Sequence, residues 1–470
     1  MIFSRSLQLD QFTPVALYRK LREKYSGDDT FLFESGEVCS DGNYSFIVIG
    51  AHERIIHINN ETTYQDEDGK IKVVERNPFD FLKKYYSKID FNAYRQKSEE
   101  LGVSFIDGFI GYIGYDSVRL FEPILQTSMN DLKDELNIAD VNLIRPKISL
   151  IYSHKTHKIT ILTPFEENIE EMKSVENLIK TSYEYLPLTA TKNVQDGQFA
   201  FSKEKFFDMV DRSKEMIKSG DIFQILMSNR YTKKAKVDPL SFYRILRTKN
   251  PSPYMYLLDF NNFSIAGSSP EVMIRLNDEQ ILLRPIAGTR KRGNTTLRDR
   301  ELEDEMINDP KERAEHLMLI DLGRNDVSRV AKTGTVKVSN MMHVEKYSHV
   351  MHMVSDVVAT LDNEYDMFDL FAATFTAGTM TGTPKIRAMQ LIAEYEGIKR
   401  NFYSGSIGYF GFDGNMDSAI TIRTALLTEN KIILQAGAGI VADSINELEY
   451  LEVKNKLGAL MSTLDDLESI

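Results

Sequence analysis

A single cysteine, Cys39, stands among the 470 residues, so the chain cannot form a disulfide of its own or gather thiolates around a metal. A chain of this length without cross-links must be stabilised by apolar cores. Its composition allows this, because 42% of the residues are hydrophobic and only 13 are proline. We therefore expect a folded protein of two or more domain-sized units in a reducing compartment, the cytoplasm.

The charge balance limits the partners of the chain. Lys and Arg number 57 against 69 Asp and Glu, a formal net charge of −12, which repels nucleic acid and anionic membranes. The longest mainly apolar stretch, residues 105–115, is interrupted by Asp107, so no membrane segment is predicted. An anionic ligand must then be held by local cations or by a metal ion.

Strand-like and helix-like segments alternate along the chain. Short strands and helices fill the first 165 residues, and the polar segment 189–198 indicates a boundary near residue 195, which divides the chain into 1–195 and 196–470. Beyond it we predict helices at 203–219, 298–322, 367–375, 385–395 and 446–462, and strands at 404–412, 418–427 and 431–436. This order predicts an α+β protein.

Two pairs of glutamates have helical spacing. Glu312 and Glu315 are three residues apart, as are Glu449 and Glu452, so each pair shares one helix face. Oxygen-only ligands of this kind suit Mg²⁺. Ordinary solvated helix charge explains the same spacing, and spacing alone favours that reading.

Glycines mark two segments where an anion could approach the backbone. Residues 435–442 superficially fit a dinucleotide fingerprint, but no second strand follows, so we interpret them as an anion-binding backbone or a tight turn. Residues 378–385 place Lys385 at a predicted helix start, where anions are favoured. Arg423 and Tyr409, on neighbouring predicted strands, could point to the same site.

Together these segments resemble the chorismate-utilising enzymes, and among them most closely the large subunits of anthranilate synthases. The resemblance covers nearly the whole chain and is densest over 220–460. The motifs that carry it are GDIFQILMS, GSSPE, RPIAGTRKRG, DPKERAEHLMLIDLGRND, HVEKYSHVMHMVS, GTPK, YFGFDG and AGAGIVADS with the following E-x-x-E-x-x-x-K. The family implies an α+β fold of two packed antiparallel β-sheets flanked by helices, in α/β/β/α layers.

The resemblance also implies a site. Glu315 and Glu452 would bind Mg²⁺, with Glu312 and Glu449 supporting them, and Glu271 would be the general acid that expels the C4 hydroxyl of chorismate, with His352 close to that oxygen. The chorismate-binding residues would be Thr289, Lys385, Tyr409, Arg423, Gly437, Ala438, Gly439 and Lys456.

Two positions distinguish between the reactions that different members of this family catalyse. Gln224 stands where the water-using synthases carry a lysine base, and glutamine cannot deprotonate water, so ammonia is the expected nucleophile. Ala287 stands where aminodeoxychorismate synthase uses a covalent lysine. Amination at C2, followed by loss of pyruvate to give anthranilate, is therefore the expected reaction, and aminodeoxychorismate synthesis is the runner-up.

The N-terminal part resembles the family's feedback site. Glu34, Ser35, Pro253, Tyr254 and Met255 match the residues that bind inhibitory L-tryptophan, whereas Asn43 departs from the family's usual arginine. The same residues could be structural strand and turn residues.

Nothing in the chain resembles a glutaminase. A separate glutamine amidotransferase subunit should therefore supply ammonia, in a hetero-oligomer. Two readings from other classes are a catalytically silent, tryptophan-sensing subunit and, least supported, a nucleotide-binding oxidoreductase.

Overall fold

The computed structural model describes residues 2–35, 44–347 and 350–470. Cys39 and Asn43 lie outside the described residues. In the first part of the chain the strands are β1 (Phe3–Gln8), β2 (Thr30–Glu34), β3 (Tyr44–Ile58), β4 (Glu61–Gln65), β5 (Ile71–Val73), β6 (Gly108–Ile113), β7 (Val141–Ser153) and β8 (Lys158–Thr163). The helices there are α1 (Pro14–Lys24), α2 (Pro78–Tyr86), α3 (Phe91–Leu101), α4 (Val118–Phe121), α5 (Gln126–Met129) and α6 (Ile169–Ile179).

The second part of the chain is longer and carries more strands. These are β9 (Gln198–Phe199), β10 (Gln224–Lys234), β11 (Tyr254–Asp259), β12 (Phe263–Ser269), β13 (Val272–Asn277), β14 (Gln280–Leu283), β15 (Ile286–Lys291), β16 (Lys337–Lys346), β17 (Val350–Thr360), β18 (Gly382–Thr383), β19 (Ser406–Gly411), β20 (Met416–Ile420), β21 (Thr424–Thr428) and β22 (Lys431–Ile440). The helices are α7 (Lys203–Lys218), α8 (Pro239–Lys249), α9 (Thr296–Asn308), α10 (Pro310–Ser328), α11 (Met367–Thr374), α12 (Lys385–Glu396) and α13 (Asn446–Glu468).

The strands form two antiparallel sheets that share the long strands β3 and β7. One sheet has the order β1-β8-β7-β3-β2-β11-β12-β21-β22-β10. The other has the order β5-β4-β3-β7-β6-β19-β20-β13-β14-β17, with β15 and β16 also paired to β17. A register shift between Ala51 and Glu53 marks the bend where β3 passes from one sheet to the other.

The two sheets face each other across an aromatic core. Tyr112 on β6 meets Phe260 and Phe263, beside β11 and β12, with ring centroids 5.6 and 6.0 Å apart. Helices α7, α8, α12 and α13 cover the outside of the first sheet, and α10 packs on β15 and β17 of the second. This arrangement confirms the predicted α+β fold of two packed sheets with outer helices.

Strand pairing crosses the boundary predicted near residue 195. Strand β2 pairs with β11, and β6 pairs with β19, so each sheet contains strands from both parts of the chain. The division into 1–195 and 196–470 therefore stays a prediction about sequence organisation, without a seam in the strand pairing.

Two predicted elements are interrupted in ways that matter for the site. The single helix predicted over 298–322 is wrong, because Asp309 accepts the N–H groups of Lys311 and Glu312 as an N-cap and Pro310 starts a new helix, α10. The single strand predicted over 418–427 is also wrong. Residues 421–423 leave the second sheet after β20, and the chain enters the first sheet as β21, with Arg423 at a φ of 51°.

No helix among the described residues has both the length and the apolar run that crossing a bilayer requires.

Candidate active site and effector cavity

The candidate active site lies where two neighbouring chain segments cross between the sheets. One crossing joins β12 to β13 and carries Glu271, and the other joins β20 to β21 and carries Arg423. Pairing of Val272 with Ala419 and of Gly267 with Thr424 holds these crossings side by side.

Glu271 is a buried carboxyl with one hydrogen bond from a neighbouring side chain. Its side chain is only 7% exposed, and the Thr379 hydroxyl donates to its Oε1 at 2.8 Å. Burial raises the pKa of Glu271 to about 7, although the Thr379 hydrogen bond and the charges of Lys456 and Arg423 act in the opposite direction. A carboxyl with this pKa is protonated in a large fraction of molecules near neutral pH, as a general acid requires.

Arg423 is a partly buried cation that forms no side-chain hydrogen bond or ion pair with any residue in the described ranges. Burial lowers the pKa of its guanidinium, and Glu271 is the charged neighbour that opposes this effect. Because an unpaired buried charge is costly, such a cation indicates a place where an anion binds.

The glycine segment of β22 presents backbone N–H groups at an open sheet edge. Strand β21 pairs with β22 only as far as Leu434, whereas β10 follows β22 to Ile440. The N–H groups of Leu226 and Ser228 on β10 point away from β22, to Thr381 and Glu396. Their cross-strand partners, Gly439 and Gly437, therefore also direct their N–H groups away from β10, into the cleft.

The same alternation turns the N–H group of Ala438 toward β10, so the predicted row of three amides is reduced to two. Lys456 on α13 reaches the open edge, where its Nζ donates to the Gly437 carbonyl at 3.0 Å.

Gln224 begins β10 beside this edge. A Cβ added to Gly439 would lie 3.0 Å from Gln224 Nε2, so glycine leaves room for the amide. Gln224 is buried, and its Oε1 has no hydrogen-bond donor in the described part of the chain. This acceptor is free to receive an N–H from a bound molecule.

His352 and Thr289 are opposite each other on β17 and β15. The Thr289 hydroxyl lies 2.9 Å from His352 Nδ1. Burial, with a further contribution from Arg423, lowers the pKa of His352 to about 4, so the imidazole is neutral at neutral pH. A neutral ring can donate or accept one hydrogen bond in the cleft.

Helices α10 and α13 bring the two predicted glutamate pairs toward each other. Burial, and then the charges of Glu312 and Glu452, raise the pKa of Glu315. Burial and the charge of Glu452 also raise the pKa of Glu449. Carboxylates that raise one another's pKa in this way would be stabilised by a cation between them.

These carboxylates already have basic neighbours. Lys456 pairs with Glu452 at 2.7 Å, and Arg290 pairs with Glu312 at 2.8 Å. No group of three or more acidic, histidine or cysteine side chains in the described ranges is arranged to hold a metal ion. Two carboxylates with water still fit Mg²⁺, which usually takes only one or two protein carboxylates.

Lys385 has a protein partner instead of facing an open space. Its Nζ donates to Asp326 Oδ2 at 2.6 Å and lies 3.4 Å from the Thr374 carbonyl. Its predicted role in chorismate binding remains a prediction that none of these contacts supports.

A second cavity, of about 1090 Å³, opens beside β2 and β11. Pairing of Glu34 with Met255 brings the two predicted effector segments together. All five residues predicted to bind tryptophan line this cavity, namely Glu34, Ser35, Pro253, Tyr254 and Met255.

Tyr409 also lines this second cavity, so the structure does not bring it together with Arg423. Its ring packs near Phe46 and Phe105, with centroids 6.1 and 5.0 Å away, and its hydroxyl reaches the Ser104 carbonyl at 3.4 Å. Side chains alternate along a strand, and the face of β19 that carries Tyr409 belongs to the effector cavity. The predicted contact of Tyr409 with the substrate therefore remains a prediction that none of these contacts supports.

The effector cavity is polar at its ends. Glu34 is buried and accepts hydrogen bonds from Tyr243 at 2.7 Å and from Arg247 at 3.1 Å. The Tyr254 hydroxyl donates to Asp417 at 2.9 Å.

Sequence reasoning missed Thr379 in the active site, and it missed Tyr403, a buried tyrosine on which the charge of Glu452 acts. Thr379 lies in the glycine-rich segment before Lys385 and contacts Glu271 directly. Tyr403 is buried beside Arg400, whose guanidinium is 5.8 Å from the ring centre, and the charge of Glu452 contributes to its raised pKa.

Comparison with known proteins places these observations in context. The family profile described as chorismate binding enzyme matches residues 28–462. Anthranilate synthase component 1 of Aquifex aeolicus (strain VF5) is 42% identical over 476 residues, covering 98% of this chain and 94% of the relative. The corresponding protein of Lactococcus lactis subsp. lactis (strain IL1403) is 36% identical, covering 97% and 98%.

Solved structures of related proteins have a similar fold. The crystal structure of anthranilate synthase component I from Streptococcus pneumoniae TIGR4 superimposes with a TM-score of 0.76 at 32% identity, covering 90% of this chain and 93% of that one. The menaquinone-specific isochorismate synthase MenF from Escherichia coli gives a TM-score of 0.72 at 18% identity, covering 99% and 95%, a likeness of fold alone.

Proposed function

This chain belongs to the chorismate-binding enzyme family, and we propose that it converts chorismate to anthranilate in tryptophan biosynthesis, as its component 1 relatives are named for doing. The observation that carries the proposal is the position of Glu271, a buried carboxyl, and Arg423, a partly buried cation without a side-chain partner in the described ranges, on two neighbouring crossings between the sheets. The first can protonate a leaving hydroxyl, and the second can bind a carboxylate of the substrate.

Chorismate carries two carboxylates, which this acidic protein must hold with local groups. Arg423 and the N–H groups of Gly437 and Gly439 offer one set of donors. Lys456 adds a positive charge at the same edge. When bound, Mg²⁺ held by Glu315 and Glu452 would neutralise the ring carboxylate, with Glu312 and Glu449 supporting those two side chains.

The reaction needs an acid at C4 and a nitrogen nucleophile at C2. Glu271 gives its proton to the departing C4 hydroxyl, which leaves as water, while ammonia attacks C2 to form aminodeoxyisochorismate. His352, held by Thr289, is neutral and can hydrogen-bond the leaving oxygen. Loss of the C2 proton and of pyruvate then gives the aromatic ring.

Gln224 and Ala287 support amination at C2. The free Oε1 of Gln224 can accept an N–H from ammonia but cannot take a proton from water, which disfavours a hydroxylated product. Ala287, next to the bulge between Ala287 and Thr289 on β15, offers no nucleophile, which disfavours the 4-amino product of aminodeoxychorismate synthase.

We further propose that ammonia comes from a separate glutamine amidotransferase subunit, since the component 1 name implies a second component. The two would form a hetero-oligomer in the cytoplasm. L-Tryptophan is the proposed inhibitor, bound in the effector cavity with Glu34, Ser35, Pro253, Tyr254, Met255 and Tyr409. The size of the cavity and the buried Glu34 carboxylate, which can pair with an ammonium group, support this assignment.

The test is an assay of the purified chain with chorismate, Mg²⁺ and ammonium salt, in which anthranilate fluorescence is followed with and without tryptophan. We expect anthranilate formation that tryptophan suppresses. Glu271→Gln keeps the shape of the acid and removes its proton, so kcat should fall by about 100-fold or more while chorismate still binds. Formation of a 4-amino product, or near-normal turnover by Glu271→Gln, would contradict the proposal.

A further inference from the structure

A small cavity lies behind Glu271, beside the carboxyl that acts in the cleft. Its volume is about 30 Å³, which is enough for one water molecule. Its polar lining comes from Glu271, Thr374, Thr379, Asp326 and Arg284, and leucines of α10 supply much of the rest. Arg284 also pairs with Asp356 and Glu345. A water here would have the two or more polar neighbours that a buried water needs.

Asp326 forms the far side of this cavity. It is 8% exposed near the end of α10, and its Oδ2 accepts a hydrogen bond from Lys385 at 2.6 Å. Lys385 Nζ also approaches the carbonyl of Thr374, a second residue of the cavity wall. The ion pair is thus one proton-carrying unit built into a mainly apolar wall, where burial raises the pKa of Asp326.

The Asp326 end of the cavity approaches the protein surface. The charged groups that act on Asp326 are Lys385, Arg329 and Glu122. Arg329 and Glu122 pair with each other at 3.2 Å, with 55% and 24% of their side chains exposed. Glu271 has different charged neighbours, Lys456 and Arg423, which lie on the substrate side.

We propose that Asp326 and Lys385 are a proton entrance to Glu271, which supplies protons through a water in this cavity from the side opposite the substrate. The proposal rests on the role of Glu271 as the acid in the proposed reaction. It also gives a role to the ion pair between Asp326 and Lys385, which joins the GRND and GTPK segments. Asp326 and Lys385 are positioning and relay residues, since neither reaches the reacting atoms.

The protons balance in this scheme. Chorismate and ammonia give anthranilate, pyruvate and water with no net proton uptake. Glu271 loses one proton to the departing hydroxyl, and the cavity water returns one to the Glu271 carboxylate. The water takes its replacement from the Asp326–Lys385 pair, which takes one from solvent. The proton that the ammonia nitrogen gives up returns to solvent from the substrate side, so one proton enters for each one that leaves.

Three variants of the full-length chain test this entrance. Asp326→Asn keeps the size of the side chain and removes its acid. Gly323→Ala adds a methyl group to the cavity wall on α10, 2.8 Å from the flexible end of Leu283, without changing any charge. Gly458→Ala is the matched control, a helical glycine with nothing within 4 Å of the added Cβ.

For each variant kcat is measured at saturating chorismate and Mg²⁺ and constant free ammonia, in H₂O and in D₂O. We expect Asp326→Asn and Gly323→Ala to lower kcat by about 10-fold, less than the ~100-fold or more expected for loss of the acid itself. Their solvent isotope effect on kcat should rise above that of the wild type, while KM for chorismate stays unchanged. Gly458→Ala should match the wild type.

An unchanged isotope effect in both variants, whether or not kcat falls, would overturn the proposal and leave the ion pair a structural one. If circular dichroism shows that Asp326→Asn is unfolded, Gly323→Ala decides alone. If the wild-type chain binds chorismate but forms no anthranilate, the proposed function itself is refuted. If the wild type is active and the variants are not impaired, only the proton entrance is refuted.

Discussion

At the scale of single residues, the acidity of Glu271 depends on one hydroxyl. Thr379 donates to the carboxylate, which stabilises the charged form and lowers the pKa of Glu271 against the effect of burial. A general acid works while protonated, so kcat/KM should fall as pH rises through the pKa of Glu271, about 7 in the free protein.

Thr379→Val removes that hydrogen bond and nearly keeps the shape of the side chain. We expect the pKa of Glu271 to rise and the alkaline limb of kcat/KM to move up by about 1 pH unit, which corresponds to ~1.4 kcal/mol. The measurement is a pH–rate profile at constant free ammonia. Thr381→Val is the matched control, because the Thr381 hydroxyl bonds to backbone carbonyls and not to Glu271. A limb that moves to lower pH would contradict the assignment.

Two tyrosines six residues apart should separate catalysis from inhibition. Tyr409 lines the effector cavity, so Tyr409→Ala should raise the tryptophan concentration for half-inhibition by about 10-fold, the loss of ~1.4 kcal/mol of aromatic contact, and leave KM for chorismate unchanged. Tyr403→Phe should raise KM for chorismate and leave inhibition by tryptophan unchanged, because the charge of Glu452, a proposed Mg²⁺ ligand, acts on Tyr403. If Tyr409→Ala raised KM for chorismate and left inhibition by tryptophan normal, Tyr409 would instead contact the substrate.

At the scale of elements, helices α10 and α13 are held near each other despite like charges. Besides burial, the charges of Glu312 on the same helix and of Glu452 on the other raise the pKa of Glu315. The charge of Glu452 also contributes to the raised pKa of Glu449. Binding of Mg²⁺ between these helices would remove this repulsion.

We therefore expect Mg²⁺ to raise the unfolding temperature of the chain, by an amount equivalent to ~2.7 kcal/mol at 100 times the dissociation constant. Glu315→Gln should abolish this dependence on Mg²⁺, yet be at least as stable as the metal-free wild type, because one repelling charge is gone. Differential scanning fluorimetry with MgCl₂ and with EDTA measures both effects. Glu364→Gln, at an exposed position, is the control, and an equal response to Mg²⁺ in Glu315→Gln would exclude Glu315 as a ligand.

At the scale of the whole molecule, strands from the two parts of the chain pair with each other in both sheets, which makes folding cooperative. Strands β2 and β6 have their neighbours β11 and β19 in the other part, so neither 1–195 nor 196–470 can complete its sheets alone. Exposed sheet edges and uncovered apolar faces would leave each fragment unfolded or aggregated.

We expect the full chain to unfold in urea in one transition that is the same by circular dichroism and by tyrosine fluorescence. Fragments 1–195 and 196–470, expressed separately, should show no cooperative transition, whereas co-expression should recover the complex. A cooperative transition of fragment 1–195 alone would establish it as an independent domain.

Much of this protein could be predicted from the sequence by itself. Helix starts depend on neighbouring residues, and helices and strands have different periods of apolar residues. The α+β class and four of the five predicted helices of the second part therefore follow from local pattern, whereas most of its strands were not predicted. Glu271 and Arg423, and the five residues of the effector cavity, lie in continuous motifs whose resemblance to a known family is local.

Only the tertiary structure decided which side chains meet. The break at Arg423 occurs where the chain passes from one sheet to the other, and Tyr409 lines the effector cavity. The pairing of Lys385 with Asp326 joins two helices, α12 and α10, that are far apart in sequence. A shift of one residue in a strand exchanges its two faces, so sequence neighbours such as Ala438 and Gly439 point in opposite directions. The direction of a side chain is set by pairing with strands far away in sequence, which no local pattern contains.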